Sequence, residues 1–415
     1  MSLLESHNGT RPVSVLSSKA AAPAETADRV NATGTLAERT QAVAAIAAAH
    51  APAVDRAARF PAESIRAAKD HRLLGIMVPT ELGGEGASIG DVIDVCYALG
   101  RGCGSTGLIY AMHQMMVACL IKHGLDSAWH QNLVRRIHED QLLLASSTTE
   151  GQGGGDLRKS SCAVEQQGSA IILTKSATVV SYGAQADALV TTARRTPEAA
   201  ASDQVLVAFF KGDYGLDNIA GWDTLGMRGT CSAGFNFEGS GIADQVMSES
   251  YQKIHAQTGM PVAHLTWSAV WAGVAASAVD RAQAFVRKAR GANGQTPPGA
   301  AHLTRATASL RTLGAVITSA LARYEAACRD DTLESLDFQT GMNLLKVTAS
   351  ELAIQTVSSA LQASGLAGYR NDGEFSVTRH LRDAMSSSVM INNDRILANV
   401  ANASLLVEIP TFLTK

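Results

Sequence analysis

The sequence lacks any excess of one charge. Its 35 Lys and Arg stand against 38 Asp and Glu over 415 residues, a formal net charge of -3. Such balance gives no electrostatic reason to expect nucleic acid or an anionic membrane surface as a partner. Cysteine is sparse and dispersed. The six (Cys96, Cys103, Cys119, Cys162, Cys231, Cys328) form no C-x-x-C pair and no His/Cys cluster at metal-ligand spacing. That argues against a structural zinc site or a disulfide framework, and reads as reduced thiols in the cytoplasm. No apolar run approaches the roughly 20 residues of a membrane helix, so no membrane partner is expected. Residues 1–34 lack the basic-then-apolar order of a secretory signal. They are rich in Ser, Ala, Thr and Pro and hold Glu5, Glu25 and Asp28 beside Arg11 and Lys19. The acidic residues speak against a transit peptide, and the stretch reads as a disordered leader. A βαβ alternation is also missing, and Gly151–Gly155 does not have G-x-G-x-x-G spacing, so a Rossmann domain is disfavoured.

What is present is apolar patterning that changes character twice. With 46% hydrophobic residues the chain can build a large core and two or three structural domains. Residues 35–145 are helical in character, with Ala-rich segments such as Ala42–Ala58 placing apolar residues three and four apart. Leu74–Gly86 interrupts them, its Pro79 and glycines marking a turn-rich connection. In residues 146–250 β-branched and alternating runs appear at Ala170–Leu173, Thr178–Val180, Ala188–Thr192 and Val205–Phe210, separated by glycine turns. They predict a small antiparallel β-domain. Residues 251–415 return to long Ala- and Leu-rich helices, broken by loops at Gly291–Gly299 and Gly365–Gly373. Segregated helices, strands and helices define an α+β class.

Four landmarks then fall in order. Leu74–Gly86 followed by Asp91–Gly107 is similar to the pattern G-(I/L)-x-(V/I)-P-x-x-x-G-G-x-G, a helix, then G-S-x-G. Thr148-Thr149-Glu150-Gly151-Gln152-Gly153-Gly154-Gly155-Asp156 resembles T-E-P-x-A-G-S-D. Leu225-Gly226-Met227-Arg228-Gly229-Thr230 resembles L-G-x-R-x-(S/T). Lys346, Gln362, Gly365, Gly368-Tyr369 and Arg382-Asp383-Ala384 follow K…Q…G-G-x-G-Y…R-D-A. Together, over roughly Leu36 to Leu413, they resemble the acyl-CoA dehydrogenase superfamily. The resemblance implies an N-terminal helical domain, a central antiparallel β-domain and a C-terminal four-helix bundle. It also implies FAD, an acyl-CoA or acyl-carrier substrate, and a homotetramer. An electron-transfer flavoprotein or a flavin reductase is the implied redox partner.

Residue by residue, the resemblance places the flavin against Thr149, Gly154, Val180 and Ser181. A glycine run lets backbone N–H groups approach a polar ligand, and Thr149 supplies a hydroxyl. A flexible hairpin loop is the plainer reading of those glycines taken alone. Arg287 matches an arginine that reaches the FAD pyrophosphate across a subunit boundary, and Gln362 with Gly365 matches the segment that meets it. A guanidinium fork suits a diphosphate. Arg287 is otherwise a solvated helix-face arginine, and Arg290-Gly291 departs from the Phe-Gly expected after it.

The base is missing. In most of this family a glutamate a few residues after R-D-A takes the substrate's α-proton while the β-hydride passes to the flavin. Counting from Arg382 without gaps, Ile391 takes its place. The alternative position on an earlier helix, within Thr258–Trp267, offers only His264. Three candidates follow: Asp394, His113 and His264. Each has a plainer role, Asp394 as a helix cap or partner of Arg395, the histidines as packed core residues. Relatives without the glutamate include two-component flavin monooxygenases, which need a shielded pocket instead of a carbon base. The three readings are an acyl-thioester dehydrogenase with a relocated base, such a monooxygenase, or a non-enzymatic descendant of the fold. The retained R-D-A and Thr-Glu elements favour the first.

Overall fold

The computed structural model describes residues 34–151, 159–290, 294–409 and 411. Among the described residues five helices come first: α1 (Leu36–Ala57), α2 (Ala62–Asp70), α3 (Ile89–Gly102), α4 (Gly104–His123) and α5 (Ala128–Glu139). Their starts are written into the sequence. Thr35 with Glu38, and Ser88 with Asp91, form reciprocal capping boxes at α1 and α3, satisfying N–H groups that a helix start leaves open.

Seven strands follow: β1 (Leu144–Ser147), β2 (Glu165–Gln167), β3 (Ala170–Val180), β4 (Ala188–Arg194), β5 (Gln204–Phe210), β6 (Tyr214–Ala220) and β7 (Ala233–Ile242). They form two sheets, ordered β1-β4-β5 and β2-β3-β7-β6. The pairing is antiparallel except between β1 and β4, which run parallel with Leu144 opposite Ala188. That exception has a topological cause: β1 reaches β4 through the whole β2–β3 excursion, long enough to return it in the same direction. The sheets face each other through alternating side chains, Ile171 and Leu173 of β3 against Val205, Val207 and Phe209 of β5.

The runs Ala170–Leu173 and Thr178–Val180, read separately in the sequence, are one strand. A bulge between Ala177 and Val180 shifts its register against β7. There the inside-outside alternation fails, and Thr178 and Val179 are both exposed.

The C-terminal part comprises α6 (Tyr251–Ile254), a π-helical turn at His255–Gly259, α7 (Met260–Ala289), α8 (Ala300–Arg329), α9 (Leu336–Tyr369), α10 (Thr378–Val389) and α11 (Asn393–Ala401). Helices α7, α8, α9 and α10 pack as the bundle, and α3 lies along α7. Gly100, Gly107 and Gly273 allow that approach, since a Cβ on Gly273 would lie 2.2 Å from the Tyr97 carbonyl oxygen. Helix α9 runs on past Gly365, which the sequence places at the start of a loop. Gly365 kinks it with φ 53° and ψ -138°, a conformation glycine tolerates.

Among the described residues two helical segments, Gly104–His123 and Tyr251–Ala289, are long and apolar enough to cross a membrane by length and composition, although polar residues interrupt both. Their apolar windows are 89% and 94% buried inside the protein. Both are core helices, apolar all round because other elements cover all sides.

Candidate flavin site

Three of the four sequence landmarks touch one another. Gly226 lies so close to α10 that a Cβ would sit 2.1 Å from the Arg382 carbonyl oxygen. Beside it the Met227 N–H donates to Asp383 Oδ1 at 2.7 Å, and Asp383 is buried. Ser105 Oγ, from the G-S-x-G segment, accepts the Gly229 N–H at 3.2 Å. Arg382 pairs two-pronged with Asp55 of α1 and donates to the Leu225 carbonyl at 3.0 Å. The turn is strained, with φ 50° at Met227 and 46° at Cys231, and its conformation persists because these contacts over-determine it.

One wall of the site comes from the β-domain. Thr149 Oγ1 donates to the Val179 carbonyl at 3.1 Å, so the Thr-Glu turn lies on the bulge of β3. Glu150 next to it accepts hydrogen bonds from both Ser160 Oγ and the Ser161 N–H and hydroxyl, the latter two at 2.7 and 2.6 Å. Lys175 Nζ approaches to 3.4 Å. Burial works to raise the Glu150 pKa, but the Ser160 and Ser161 hydrogen bonds and the ammonium outweigh it and hold it near 2. Lys175 itself also donates to the Ser147 carbonyl and to Thr192 O and Oγ1, at 2.8–2.9 Å. Burial pushes its pKa down while Cys162 and Glu150 oppose that.

Ser181 closes the wall with a hydroxyl relay. Ser181 Oγ lies 2.8 Å from Ser232 Oγ, which lies 2.8 Å from Thr230 Oγ1, which donates to the Met227 carbonyl at 2.9 Å. A carbonyl only accepts, so the protons run toward Met227 and Ser181 keeps oxygen lone pairs free. Val180 is fully buried, Val179 is 42% exposed, and Ser147 Oγ is buried without a partner. An exposed apolar side chain beside hydroxyls and an orphaned buried oxygen fits an aromatic, hydrogen-bonding ring such as a flavin. Gly154 lies outside the described residues.

A second cluster of interest follows α10. Lys346, fully buried on α9, donates to the Ile391 carbonyl and to Asn393 Oδ1, both at 2.7 Å. Burial lowers its pKa to about 8. Ile391 has φ 47°, a left-handed conformation costly for a β-branched residue. Asn392 caps α11 by accepting the Asp394 and Arg395 N–H groups at 2.8 and 3.2 Å. Asp394 is exposed in the first helical turn, where a carboxylate complements the open N–H groups.

Both candidate histidines are buried and hydrogen-bonded to the backbone. His113 is fully buried with Nε2 2.8 Å from the Leu74 carbonyl and Nδ1 accepting the Leu144 N–H at 3.0 Å. The backbone thus fixes its tautomer and occupies both nitrogens, and burial lowers its pKa to about 4. His264 Nδ1 is tied to the Met342 carbonyl at 2.9 Å, and burial takes its pKa to about 3. Arg287, on the last turn of α7, and Gln362 and Gly365 near the end of α9 are exposed. Among the described residues no hydrogen bond joins them to the Thr149–Ser181 wall.

Sequence reasoning missed Lys175 and the Ser232–Thr230 relay. Lys175 had a signal: it occupies a core-facing position of an alternating strand, where an unpaired charge is costly.

Comparison with known proteins bears on the family and the fold. The model of the acyl-CoA dehydrogenase N-terminal domain matches residues 35–135, and that of the C-terminal domain matches residues 255–406. Cyclohex-1-ene-1-carbonyl-CoA dehydrogenase of Syntrophus aciditrophicus (strain SB) is 25% identical over 357 residues, 85% of this chain and 84% of its own. Among solved structures, the FMN-bound dibenzothiophene monooxygenase TdsC of Paenibacillus sp. A11-2 superposes with a TM-score of 0.76 at 18% identity, covering 91% of this chain and 98% of that one. The prolyl acyl carrier protein oxidase AnaB gives 0.75 at 17% identity, over 90% and 99% of the two chains. At those identities the structural likeness is one of fold. The two domain matches, which together cover more than half of the chain, show that it belongs to the acyl-CoA dehydrogenase family of flavin-dependent oxidoreductases.

Proposed function

We propose that this chain is a cytoplasmic, homotetrameric, FAD-dependent enzyme that removes the α- and β-hydrogens of an acyl thioester, carried on CoA or on an acyl carrier protein. The observation that carries this reading is the anchoring of α10. Asp383 holds the Met227 turn and Gly226 abuts Arg382, so the Met390–Arg395 segment leaves a rigid helix fixed to the β-domain.

In this reading the Thr149 hydroxyl, the Val180 backbone and Ser181 hold the flavin ring, which accepts the hydride. Asp394 is the carboxylate within Met390–Arg395 and takes the α-proton. Arg287, Gln362 and Gly365 serve the pyrophosphate of a neighbouring copy. Leu366 and Tyr369, 74% and 69% exposed beside Gly365, fit a surface that a second copy covers. An electron-transfer flavoprotein removes the electrons.

A second reading, a two-component flavin monooxygenase supplied by a flavin reductase, is favoured by one observation. Ile391 stands where the base belongs and both histidines are locked to the backbone. Anaerobic titration of the FAD-loaded protein with short, branched and aryl acyl-CoAs separates the two. The dehydrogenase reading expects at least one thioester to bleach the flavin without oxygen. Flavin left oxidised by the whole panel, with product formed only from reduced flavin and oxygen, overturns it for the second.

A further inference from the structure

Away from the flavin walls, an open cleft of about 500 Å³ lies where the end of α1, the Arg228 turn, α7 and the start of α10 meet. Five arginines line it (Arg56, Arg228, Arg281, Arg379, Arg382) against one lining carboxylate, Asp55, while Arg228 also pairs with the exposed Asp223 at 3.1 Å. Asp55 is already engaged by Arg382. Arg379 meets Asp383 only at 3.8 Å, and Arg281 donates to a backbone carbonyl, Glu374, at 2.8 Å. Burial, then the neighbouring Arg379 charge, lowers the Arg281 pKa.

Two further features point to a missing acceptor. Helix α10 starts in this cleft with no side-chain cap, so its first-turn N–H groups and the positive end of its dipole are presented there. His380, in that first turn, is 2% exposed; its Nε2 lies 3.0 Å from Ser277 Oγ, while its buried Nδ1 has no partner. Burial and the charges of Arg379 and Arg281 keep the ring neutral. A serine hydroxyl can donate or accept; the tautomer in which Ser277 donates to Nε2 puts the one ring proton on Nδ1, and an anion in the cleft would select it.

We propose that this cleft binds a phosphate-ester ligand of nucleotide size, its phosphate seated on the start of α10 between Arg281 and Arg379. Guanidinium forks match phosphate oxygens two at a time, which favours phosphate over a lone carboxylate. The volume falls within the range of small-molecule sites. Nothing in the proposal depends on the flavin reading or on the choice of substrate.

Isothermal titration of flavin-saturated protein with inorganic pyrophosphate, ADP, CoA and adenosine tests it, with flavin present so that the flavin walls are filled. The phosphate ligands bind, more weakly as salt rises, and adenosine does not. Arg281→Gln and Arg379→Gln each weaken binding at least about tenfold, the scale of a lost charge-assisted bond. Arg329→Gln, on the exposed end of α8, leaves it unchanged. Arg56→Gln, at an exposed position where folding is not at issue, weakens it a few-fold. Pyrophosphate binding as well as ADP assigns the site to phosphate alone; CoA or ADP binding tighter adds the nucleoside. Absence of binding by all three phosphates, undiminished affinity in the Arg281 and Arg379 variants, or equal binding of adenosine overturns the proposal.

Discussion

Two buried lysines brace the two walls of the site, and they do so differently. Lys175, in the β-domain, holds the turn through the Ser147 carbonyl and Thr192 and has the Glu150 carboxylate 3.4 Å away. Lys346, in the helical bundle, holds the turn at Ile391 and Asn393 through neutral oxygens, with the Trp271 ring 5.8 Å off. The wall that matches the family pattern is charge-balanced. The wall that departs from it carries a buried ammonium with neutral hydrogen-bond partners and an isoleucine in a left-handed conformation. The difference teaches that a buried ammonium can be held with a carboxylate close by, as at Lys175, or by neutral oxygens alone, as at Lys346.

The largest expected effect breaks the first brace. Lys175→Met leaves Glu150 buried without its counter-charge and two carbonyls without a donor. Chemical denaturation should show a loss of about 3–5 kcal/mol, as for other half-broken buried pairs, with flavin absorbance lost from the purified protein. An unchanged midpoint would show that the pair is idle.

Lys346→Met should cost less, about 1–3 kcal/mol, because it strands acceptors but no charge. It also carries a pH signature of its own. The Lys346 pKa is lowered to about 8 when folded, below its unfolded value, so between about pH 8 and 10.5 the unfolded chain binds more protons. Stability should therefore rise with pH across that window, and the variant should lose this rise. Glu150 has the opposite signature: a folded pKa near 2 gives stability present above its unfolded value and lost as pH falls from about 4.5 toward 2. Glu150→Gln should flatten the acid limb alone.

The smallest effect concerns the cap. Asn392→Ala removes the acceptor of two N–H groups at the start of α11 and should cost about 1 kcal/mol, with Asn392→Asp restoring most of it. A calorimetric scan of the three proteins measures this. Equal melting temperatures would mean that the Asp394 turn is held from elsewhere.

How much of this was legible in the sequence depends on the span of each feature. The α+β order and the four motifs were readable because each is a local pattern, and the structure adds that three of the motifs touch. The single β3 strand was split because its bulge breaks the two-residue period at Thr178–Val179. The parallel β1–β4 pair and the continuation of α9 through Gly365 were hidden, since pairing direction and a tolerated kink leave no local mark. His113 looked like a candidate base because sequence does not show that Leu74 and Leu144 occupy both its nitrogens. The arginine cleft was invisible for a related reason: its residues come from segments up to 327 positions apart, as Asp55 and Arg382 are.

The most direct test of the relocated base is the rate at which an acyl-CoA bleaches the flavin anaerobically in Asp394→Asn. A positioned general base is worth about 10²–10⁴-fold. The dehydrogenase reading expects bleaching at least about 100-fold slower than in the parent, with flavin content and melting temperature unchanged. An undiminished rate would contradict it and remove Asp394 from the chemistry.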